Sequence, residues 1–340
     1  MTAVNAAFPA VDMLRLLGGF QLSQALFVVA RAGVADQLVA GPRPLTELAA
    51  AVGLRPEPLA RILHVLAAEE VFTVDAERAL VGLGRLGPTL VSGGPESLRN
   101  IALAWEQTHY RAFGELWGTA LTGVPAADLA YGKPFFDHLG EHPAQVATFT
   151  AAMTDFARAI RHHALDAVEL AGAQFVVDIG GADGAVLAEL ARREPGLRGT
   201  VLDLPHVVAA APEVLRAAGV ADRITATAGD FFAALPPADC YLACFILHDW
   251  SDERATRILD RVHRAATAPD TRLVVVDTVL DGGTVPEVAT LLDLTMLGML
   301  TGRERTAAAW RALFTAGGFE LTEIRPTPGP MCVLEARRVP

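Results

Sequence analysis

The chain is poor in cysteine. Three in 340 residues (Cys240, Cys244 and Cys332) are too few for a disulfide framework, so the fold must be held by a core. Positive charge is also scarce: 28 Lys and Arg against 39 Asp and Glu leave a formal net charge of −11. Proteins that grip duplex nucleic acid neutralise phosphates with Lys and Arg, so this balance argues against nucleic acid as the main ligand. A long uninterrupted apolar run is missing too. The most apolar stretch, residues 14–39, is broken by Gln21, Ser23, Gln24, Arg31 and Asp36, too many polar groups for a bilayer span. Residues 1–10 carry no basic segment and no cleavage-like site, so no signal peptide and no membrane partner are expected, and the expected location is cytoplasmic. What is present is apolar: 52% hydrophobic against 20% charged residues, enough for a core and too little charge for a disordered chain.

The pattern changes along the chain. Residues 11–32 place apolar side chains at helical spacing and stop at Gly33. Residues 45–49, after Pro42 and Pro44, start a short helix that Gly53 ends. Residues 56–69 form a third, with Leu59, Ile62, Leu63, Val65 and Leu66 as its stripe. Residues 71–74 and 79–83 read as a hairpin. Three helices and a hairpin make a winged-helix pattern. In DNA readers of this type the third helix offers Arg, Lys, Asn or Gln to base edges. Here only Arg61 and His64 stand there, which favours dimerisation or docking over a DNA-binding regulator. Residues 101–168 are mainly helical and rich in Trp, Phe, Tyr and Met, a stripe that reads first as core.

From Phe175 strands alternate with helices. Strands are expected over 175–179, 199–204, 224–227, 239–247 and 272–278, with helices over 185–193, 207–218 and 252–268. A helix over 310–316 and strands over 319–325 and 331–337 finish the chain. This alternation specifies a doubly wound α/β domain, in which ligands sit beyond the carboxyl ends of the strands.

The loops at those ends carry the chemistry. The first is Asp178-Ile179-Gly180-Gly181-Ala182-Asp183-Gly184. It fails the dinucleotide fingerprint, because Ile179 stands where the first glycine belongs. It matches Asp-x-Gly-x-Gly-x-Gly, with Ala182 at the middle glycine. Asp203 ends the second strand, where an acid can accept from both ribose hydroxyls. Asp230 follows the third strand, beside Phe231 and Phe232. Its carboxylate can accept from the exocyclic amine of adenine, and an aromatic ring can lie against the base. Each acid alone could be a cap or a solvated loop residue, but three such loops in strand order point to a nucleoside. No P-loop lysine is present, which suits a sulfonium cofactor with no phosphate to neutralise.

His248 is placed at the carboxyl end of the fourth strand. An imidazole of ordinary pKa near 6.5 can take a proton at neutral pH, and a phenol of pKa near 10 is a poor nucleophile until it loses one. Asp277 ends the fifth strand and Glu304 follows the helix expected over 288–300. Either could hold the far imidazole nitrogen and favour the imidazolium. His248-Asp249 could supply two ligands of a His/carboxylate iron site, but Met296-Leu297-Gly298-Met299-Leu300 offers no third histidine, so no metal is expected. Cys240 and Cys244 share a strand face and read as buried thiols.

Four segments now stand together: Val177-Asp178-Ile179-Gly180-Gly181, Gly229-Asp230-Phe231-Phe232, Leu247-His248-Asp249-Trp250-Ser251-Asp252-Glu253 and Arg303-Glu304-Arg305-Thr306. On these, and over nearly its whole length, the chain resembles the small-molecule O-methyltransferases of plant natural-product and bacterial polyketide and aromatic antibiotic pathways. The resemblance implies a Rossmann-like catalytic domain over 171–340, a helical substrate-pocket region over 96–170 and a winged-helix-like dimerisation domain over 1–95. It implies a homodimer, S-adenosylmethionine as methyl donor and S-adenosylhomocysteine as product. It implies His248 as general base flanked by Asp277 and Glu304. Cofactor contacts are implied at Asp178, Gly180, Gly181, Asp203, Leu204, Asp230, Phe231 and Cys244, and an aromatic substrate against Trp105, Met153, Asp249 and Met299. Two departures bear on the site: Asp277 stands where plant members have Glu, one methylene longer, and Cys244 where Lys or Ser is common. Methylation at carbon or nitrogen, or a reaction other than methyl transfer on the same fold, are the competing expectations.

Overall fold

A computed structural model describes residues 8–282 and 286–339. The apolar start folds as two helices, α1 (Pro9–Leu17) and α2 (Gly19–Ala32), bent by 45°, where the spacing had suggested one. A two-residue strand β1 (Arg43–Pro44) leads into α3 (Leu45–Ala51) and α4 (Pro56–Ala68), then the hairpin β2 (Phe72–Asp75) and β3 (Leu80–Leu83). The small sheet has the antiparallel order β1-β3-β2. Leu59, Leu63 and Leu66 line the buried face of α4 at i, i+4 and i+7, and pack with Val29, Leu48 and Phe72. The winged-helix pattern is thus present in the fold.

The helical middle comprises α5 (Arg99–Gln107), α6 (His109–Phe113), α7 (Leu116–Thr122), α8 (Ala126–Tyr131), α9 (Phe135–Gly140) and α10 (Pro143–Phe156). It is shared between two compact units, one of Met1–Gly114 with Phe136–Ala159, the other of Glu115–Phe135 with Ile160–Pro340. In the first unit α5 packs on α2 and α10, around Ile101, Ala104 and Ala152. The aromatic and methionine stripe is not mainly core, as the sequence suggested. Phe135 is buried, but Trp105, Tyr110, Trp117, Phe136 and Met153 are all at least 40% exposed.

The second unit continues through α11 (His162–Leu165), β4 (Phe175–Ile179), α12 (Ala185–Arg193), β5 (Arg198–Asp203), α13 (Pro205–Val208), α14 (Ala211–Ala217), β6 (Ile224–Ala228), β7 (Cys240–Cys244), α15 (Asp252–Ala265), β8 (Arg272–Thr278), α16 (Pro286–Met299), α17 (Ala307–Ala316), β9 (Phe319–Pro326) and β10 (Met331–Arg338). The sheet order is β6-β5-β4-β7-β8-β10-β9. The first five strands are parallel and β10 is antiparallel to both neighbours. Order reverses between β4 and β7, the switch point at which doubly wound sheets bind ligands. β7 is buried throughout, as expected of a parallel strand covered on both faces. α15 buries Ala255, Ile258, Leu259 and Val262 at i, i+3, i+4 and i+7, and Ser251 caps its start by accepting from the Arg254 N–H.

Two expected elements differ. The helix over 207–218 is divided into α13 and α14, with Pro212 in the first turn of α14, a position that needs no N–H. The fourth strand ends at Cys244 rather than running to 247, because Phe245 adopts φ 60° and turns the chain out of the sheet. Among the described residues no single helix is long and apolar enough to cross a membrane.

Candidate active site

The loops after β4, β5 and β6 meet on one side of the sheet. Gly180 has φ 68°, a left-handed conformation that costs a side-chain-bearing residue energy. A Cβ there would overlap the Ile246 side chain and touch Phe231, so the backbone at this point is approached closely from the loops after both β7 and β6. Asp203, at the end of β5, ties the glycine loop down: Oδ2 accepts from the Ala182 N–H (3.0 Å) and Oδ1 from the Leu204 N–H (2.7 Å). Each carboxylate oxygen retains a further lone pair for a ligand hydroxyl. Asp230 accepts from the Phe232 N–H at 2.8 Å, and Phe231 and Phe232 meet Trp250 edge-on. Asp178 is fully buried under the loop, where a Cβ on Gly181 would overlap its carboxyl. Cys244 is buried at the end of β7. Glycine backbone, one acid at a strand end, a second acid and aromatic faces form a set suited to a nucleoside with a free cis-diol.

His248 lies four residues beyond β7, in a single 3-10 turn over Leu247–Asp249, and not at the strand end itself. It is 3% exposed. Its Nδ1–H donates to Glu304 Oε1 at 2.7 Å. The Asp277 carboxylate lies 3.7 Å from Nδ1 and that of Asp249 lies 3.4 Å from Nε2. Of the two acids expected to orient the ring, Glu304 makes the hydrogen bond, and the shorter Asp277 stands just beyond reach. Thr278 links them: its hydroxyl donates to Glu304 Oε2 and its N–H donates to Asp277 Oδ1 at 3.0 Å. The Phe245 ring packs edge-on against the imidazole, with centroids 4.3 Å apart.

These groups set each other's proton affinity. Burial alone would lower the His248 pKa, but Asp277, Asp249 and Glu304 outweigh it and push it up to about 10. Burial, with Glu304 nearby, pushes Asp277 up to about 7 against the pull of His248 and Arg305. Burial likewise raises Asp249. The ring therefore holds a proton strongly. A base of pKa near 10 matches a phenol of pKa near 10, so proton transfer between them is close to thermoneutral. Donor atoms of His248, Asp277 and Glu304 fall within 4.8 Å of one another, but Nδ1 and both Glu304 oxygens already share hydrogen bonds, an arrangement that suits a proton.

The four residues expected at the substrate are distributed over both units. Asp249 is half-buried beside Nε2, and Met299 is buried at the end of α16, which packs against α7 and α8. Trp105 on α5 and Met153 on α10 belong to the first unit, where both are exposed enough to take an apolar ligand. Sequence reasoning missed four residues that hold Glu304 and the His248 turn. Asp293 accepts from the Glu304 N–H, Trp310 Nε1 donates to the Thr278 carbonyl, Arg305 donates to the Leu247 carbonyl of the turn, and Asp252 accepts from Arg305. Two of them stood in quoted segments, Asp252 in Leu247-His248-Asp249-Trp250-Ser251-Asp252-Glu253 and Arg305 in Arg303-Glu304-Arg305-Thr306, but no role was read for either; nothing in the sequence pointed to Asp293 or Trp310.

Known proteins match over the whole chain. A family model for the O-methyltransferase domain covers residues 123–320, and one for the O-methyltransferase dimerisation domain covers residues 14–93. The phenazine O-methyltransferase PhzM of Lysobacter antibioticus is 35% identical over 328 residues, spanning 96% of each chain. The 8-amino-8-demethylriboflavin N,N-dimethyltransferase of Streptomyces davaonensis is 33% identical over 92% of this chain and 90% of that one. The crystal structure of CalO1, a methyltransferase in calicheamicin biosynthesis, in its SAH-bound form, superposes with a TM-score of 0.87 at 31% identity, over 97% of this chain and 98% of that one.

Proposed function

The chain belongs to the O-methyltransferase family, and on that premise we propose that it methylates a hydroxyl of an aromatic or polyketide-type small molecule, with His248 taking the hydroxyl proton. The observation that carries this reading is the buried 2.7 Å contact between His248 Nδ1 and Glu304, which leaves Nε2 as the ring nitrogen that can face an acceptor. S-adenosylmethionine, when bound, supplies a methyl group already activated on a sulfonium. Asp203 would accept from its ribose hydroxyls, Asp230 from its adenine amine, and Phe231 would lie against the base, with Gly180 and Gly181 giving backbone clearance. The task left to the protein is alignment and proton removal. Nε2 takes the hydroxyl proton as the oxygen becomes nucleophilic, and Glu304 and Asp277 stabilise the imidazolium that results. Asp249 lies close enough to Nε2 to accept from it, or from the acceptor hydroxyl.

Nitrogen methylation is the second reading, favoured by the identity to the N,N-dimethyltransferase. An amine attacks through its own lone pair and needs no base beforehand, so the His248–Glu304 pair favours a hydroxyl. We further propose that the protein works as a homodimer. α1 has no buried residue, and Val11, Leu14, Leu16, Leu17 and Phe20 are each more than half exposed, largely within the stretch matched by the dimerisation model.

The test is turnover with S-adenosylmethionine on paired panels of phenols and matched anilines, read as S-adenosylhomocysteine formed, with His248→Ala in parallel. Phenol turnover that falls about 10²–10⁴-fold in His248→Ala, with S-adenosylhomocysteine affinity retained, supports the reading. Aniline turnover indifferent to His248 would replace it.

A further inference from the structure

The structure assigns a positioning role to Arg305: we propose that its guanidinium, forked across two backbone carbonyls, sets the His248-bearing turn at the depth where Glu304 meets Nδ1. The inference rests on the reading of His248 as the base.

In the turn the Asp249 N–H reaches the Ile246 carbonyl at 3.3 Å. The turn is held from outside by residues 302–305. Arg305 is 1% exposed. Its Nη1 donates to the Leu247 carbonyl and its Nη2 to the Trp250 carbonyl, both at 2.8 Å. These two carbonyls bracket His248 and Asp249. Its Nε donates to Asp252 Oδ1 at 2.9 Å, and Arg303 reaches the other oxygen of the same carboxylate at 2.5 Å. The Arg303 N–H donates to the His248 carbonyl at 2.9 Å. Gly302 has no side chain where a Cβ would overlap that same carbonyl oxygen. The guanidinium carbon lies over the Trp310 ring, 5.2 Å from its centroid, and the Arg305 carbonyl accepts from the Leu280 N–H at 3.0 Å, so the strap is anchored behind as well as in front.

Three facts separate positioning from plain packing. Burying a guanidinium is costly unless it is fully paired, and an apolar side chain could fill the space. What an apolar side chain cannot do is hold two carbonyls at fixed separation on either side of one histidine. Arg305 also directly follows Glu304 in the chain. The segment that carries the orienting carboxylate therefore carries the fork that fixes its target, and their spacing is set covalently. Lysine has one nitrogen and cannot make the three contacts, so the exchange is not conservative here.

The experiment compares wild type, His248→Ala, Arg305→Lys and Asp252→Asn in full-length protein. The readouts are kcat, KM for each substrate, the pH dependence of kcat with a phenolic acceptor, and S-adenosylhomocysteine affinity by calorimetry. The charged groups around the ring are Asp249, Asp277 and Glu304, with Arg305 beyond them acting on Asp277; the three acids remain in every variant, and Arg305→Lys keeps a positive charge at 305. Arg305→Lys is expected to lower kcat about 10–100-fold, as a small misplacement of a catalytic group does. It should also move the pH limb toward the ordinary histidine range, and leave S-adenosylhomocysteine affinity within about 3-fold. Asp252→Asn keeps the fork on the two carbonyls, removes its counter-charge and leaves one acceptor oxygen where Arg305 and Arg303 now each have one. It should move both readouts the same way, by about 2–5-fold in kcat, and it decides the matter should Arg305→Lys fail to fold. Wild-type kcat and pH profile in the Arg305→Lys protein, or in Asp252→Asn where Arg305→Lys does not fold, would overturn the proposal, as would a loss of S-adenosylhomocysteine affinity in step with kcat. Full turnover in His248→Ala would instead remove the base reading on which it rests.

Discussion

Replacing Glu304 by Gln removes a charge and almost nothing else. Gln keeps an oxygen for the His248 Nδ1–H, and its amide can donate to the Thr278 hydroxyl that now donates to Glu304. The electrostatic consequence is large. His248 is pushed up to about 10 from its ordinary 6.5, a gap worth about 5 kcal/mol of preference for the imidazolium. At pH 7.5 that leaves about one ring in 300 neutral. Glu304 is one of three carboxylates responsible, and it is the one in hydrogen-bond contact. An opposite charge at that distance typically accounts for about 1–3 pKa units. With Asp277 and Asp249 still present, the Glu304→Gln limb should fall by about 1–2 units. Two opposed effects follow. The neutral fraction at pH 7.5 rises about 10- to 100-fold. The plateau at high pH drops about 10- to 100-fold, because the base is weaker and the imidazolium less stabilised.

The assay is kcat from pH 6 to 10.5, read as S-adenosylhomocysteine formed, with two phenols, one of pKa below 8 and one near 10. Two acceptors are needed because a limb that belongs to the enzyme stays in place when the acceptor changes. A limb that is unmoved in Glu304→Gln, or moves to higher pH, would refute the electrostatic account of the site. A limb that follows the phenol pKa in both proteins would show that the free phenolate, and not His248, controls the rate.

Three further outcomes are expected. Because the folded pKa of His248 is raised, its stabilising contribution is complete below about pH 6.5 and is lost as pH rises through about 10; urea midpoints should therefore fall between pH 6.5 and 9.5 in wild type and fall less in His248→Gln. Asp203→Ala frees the Ala182 and Leu204 N–H groups and removes the acceptor for the ribose hydroxyls, so calorimetry should show S-adenosylmethionine and S-adenosylhomocysteine affinity reduced at least about 10-fold alike; unchanged affinity for either would place the ribose elsewhere. Leu14→Glu with Leu17→Glu puts two charges on the exposed face of α1, and light scattering should report a monomer where wild type is a dimer, whereas a monomeric wild type would refute the proposed use of that face.

Regular elements were readable from the sequence because their periodicity and punctuation agree. α12 and β8 lie over the stretches expected for them, 185–193 and 272–278, the first a clean amphipathic helix, the second a β-branched run bounded by polar residues. Elements with an internal conflict were misread. The apolar spacing of residues 11–32 runs straight across Gly18-Gly19, and only the three-dimensional path shows the bend there. The strand expected over 239–247 stays apolar to Leu247, yet the chain leaves the sheet at Phe245, in a left-handed conformation that a phenylalanine adopts only under tertiary constraint. Asp277 was legible as a titratable side chain near the end of an apolar strand, His248 as one just beyond the apolar run of β7, and Glu304 through the segment Arg303-Glu304-Arg305-Thr306. Which acid bonds the ring was not legible, since it depends on a distance of 2.7 against 3.7 Å.

The arginines at 303 and 305 show the same limit from the other side. In the sequence they are two polar residues around a more interesting glutamate, and a charge near a loop is usually solvated. Folding buries one and leaves the other half-exposed, and converts Arg305 from a surface cation into a clamp on backbone carbonyls that sequence cannot display. This bears on how the site holds together. Three carboxylates packed around one imidazole repel each other, and two of them have their pKa raised by burial. Such a cluster is stable only if its positive partners cannot drift. The imidazolium supplies one such charge and Arg305 the other. In the proposed mechanism the first comes and goes with each turnover, while the second remains fixed to the backbone of the turn. In that mechanism the permanence of Arg305 would allow His248 to cycle between charged and neutral without the acids rearranging. The structure ties that permanence to the two carbonyls of Leu247 and Trp250, and loosening either bond should be felt first in the pH limb and only later in cofactor binding.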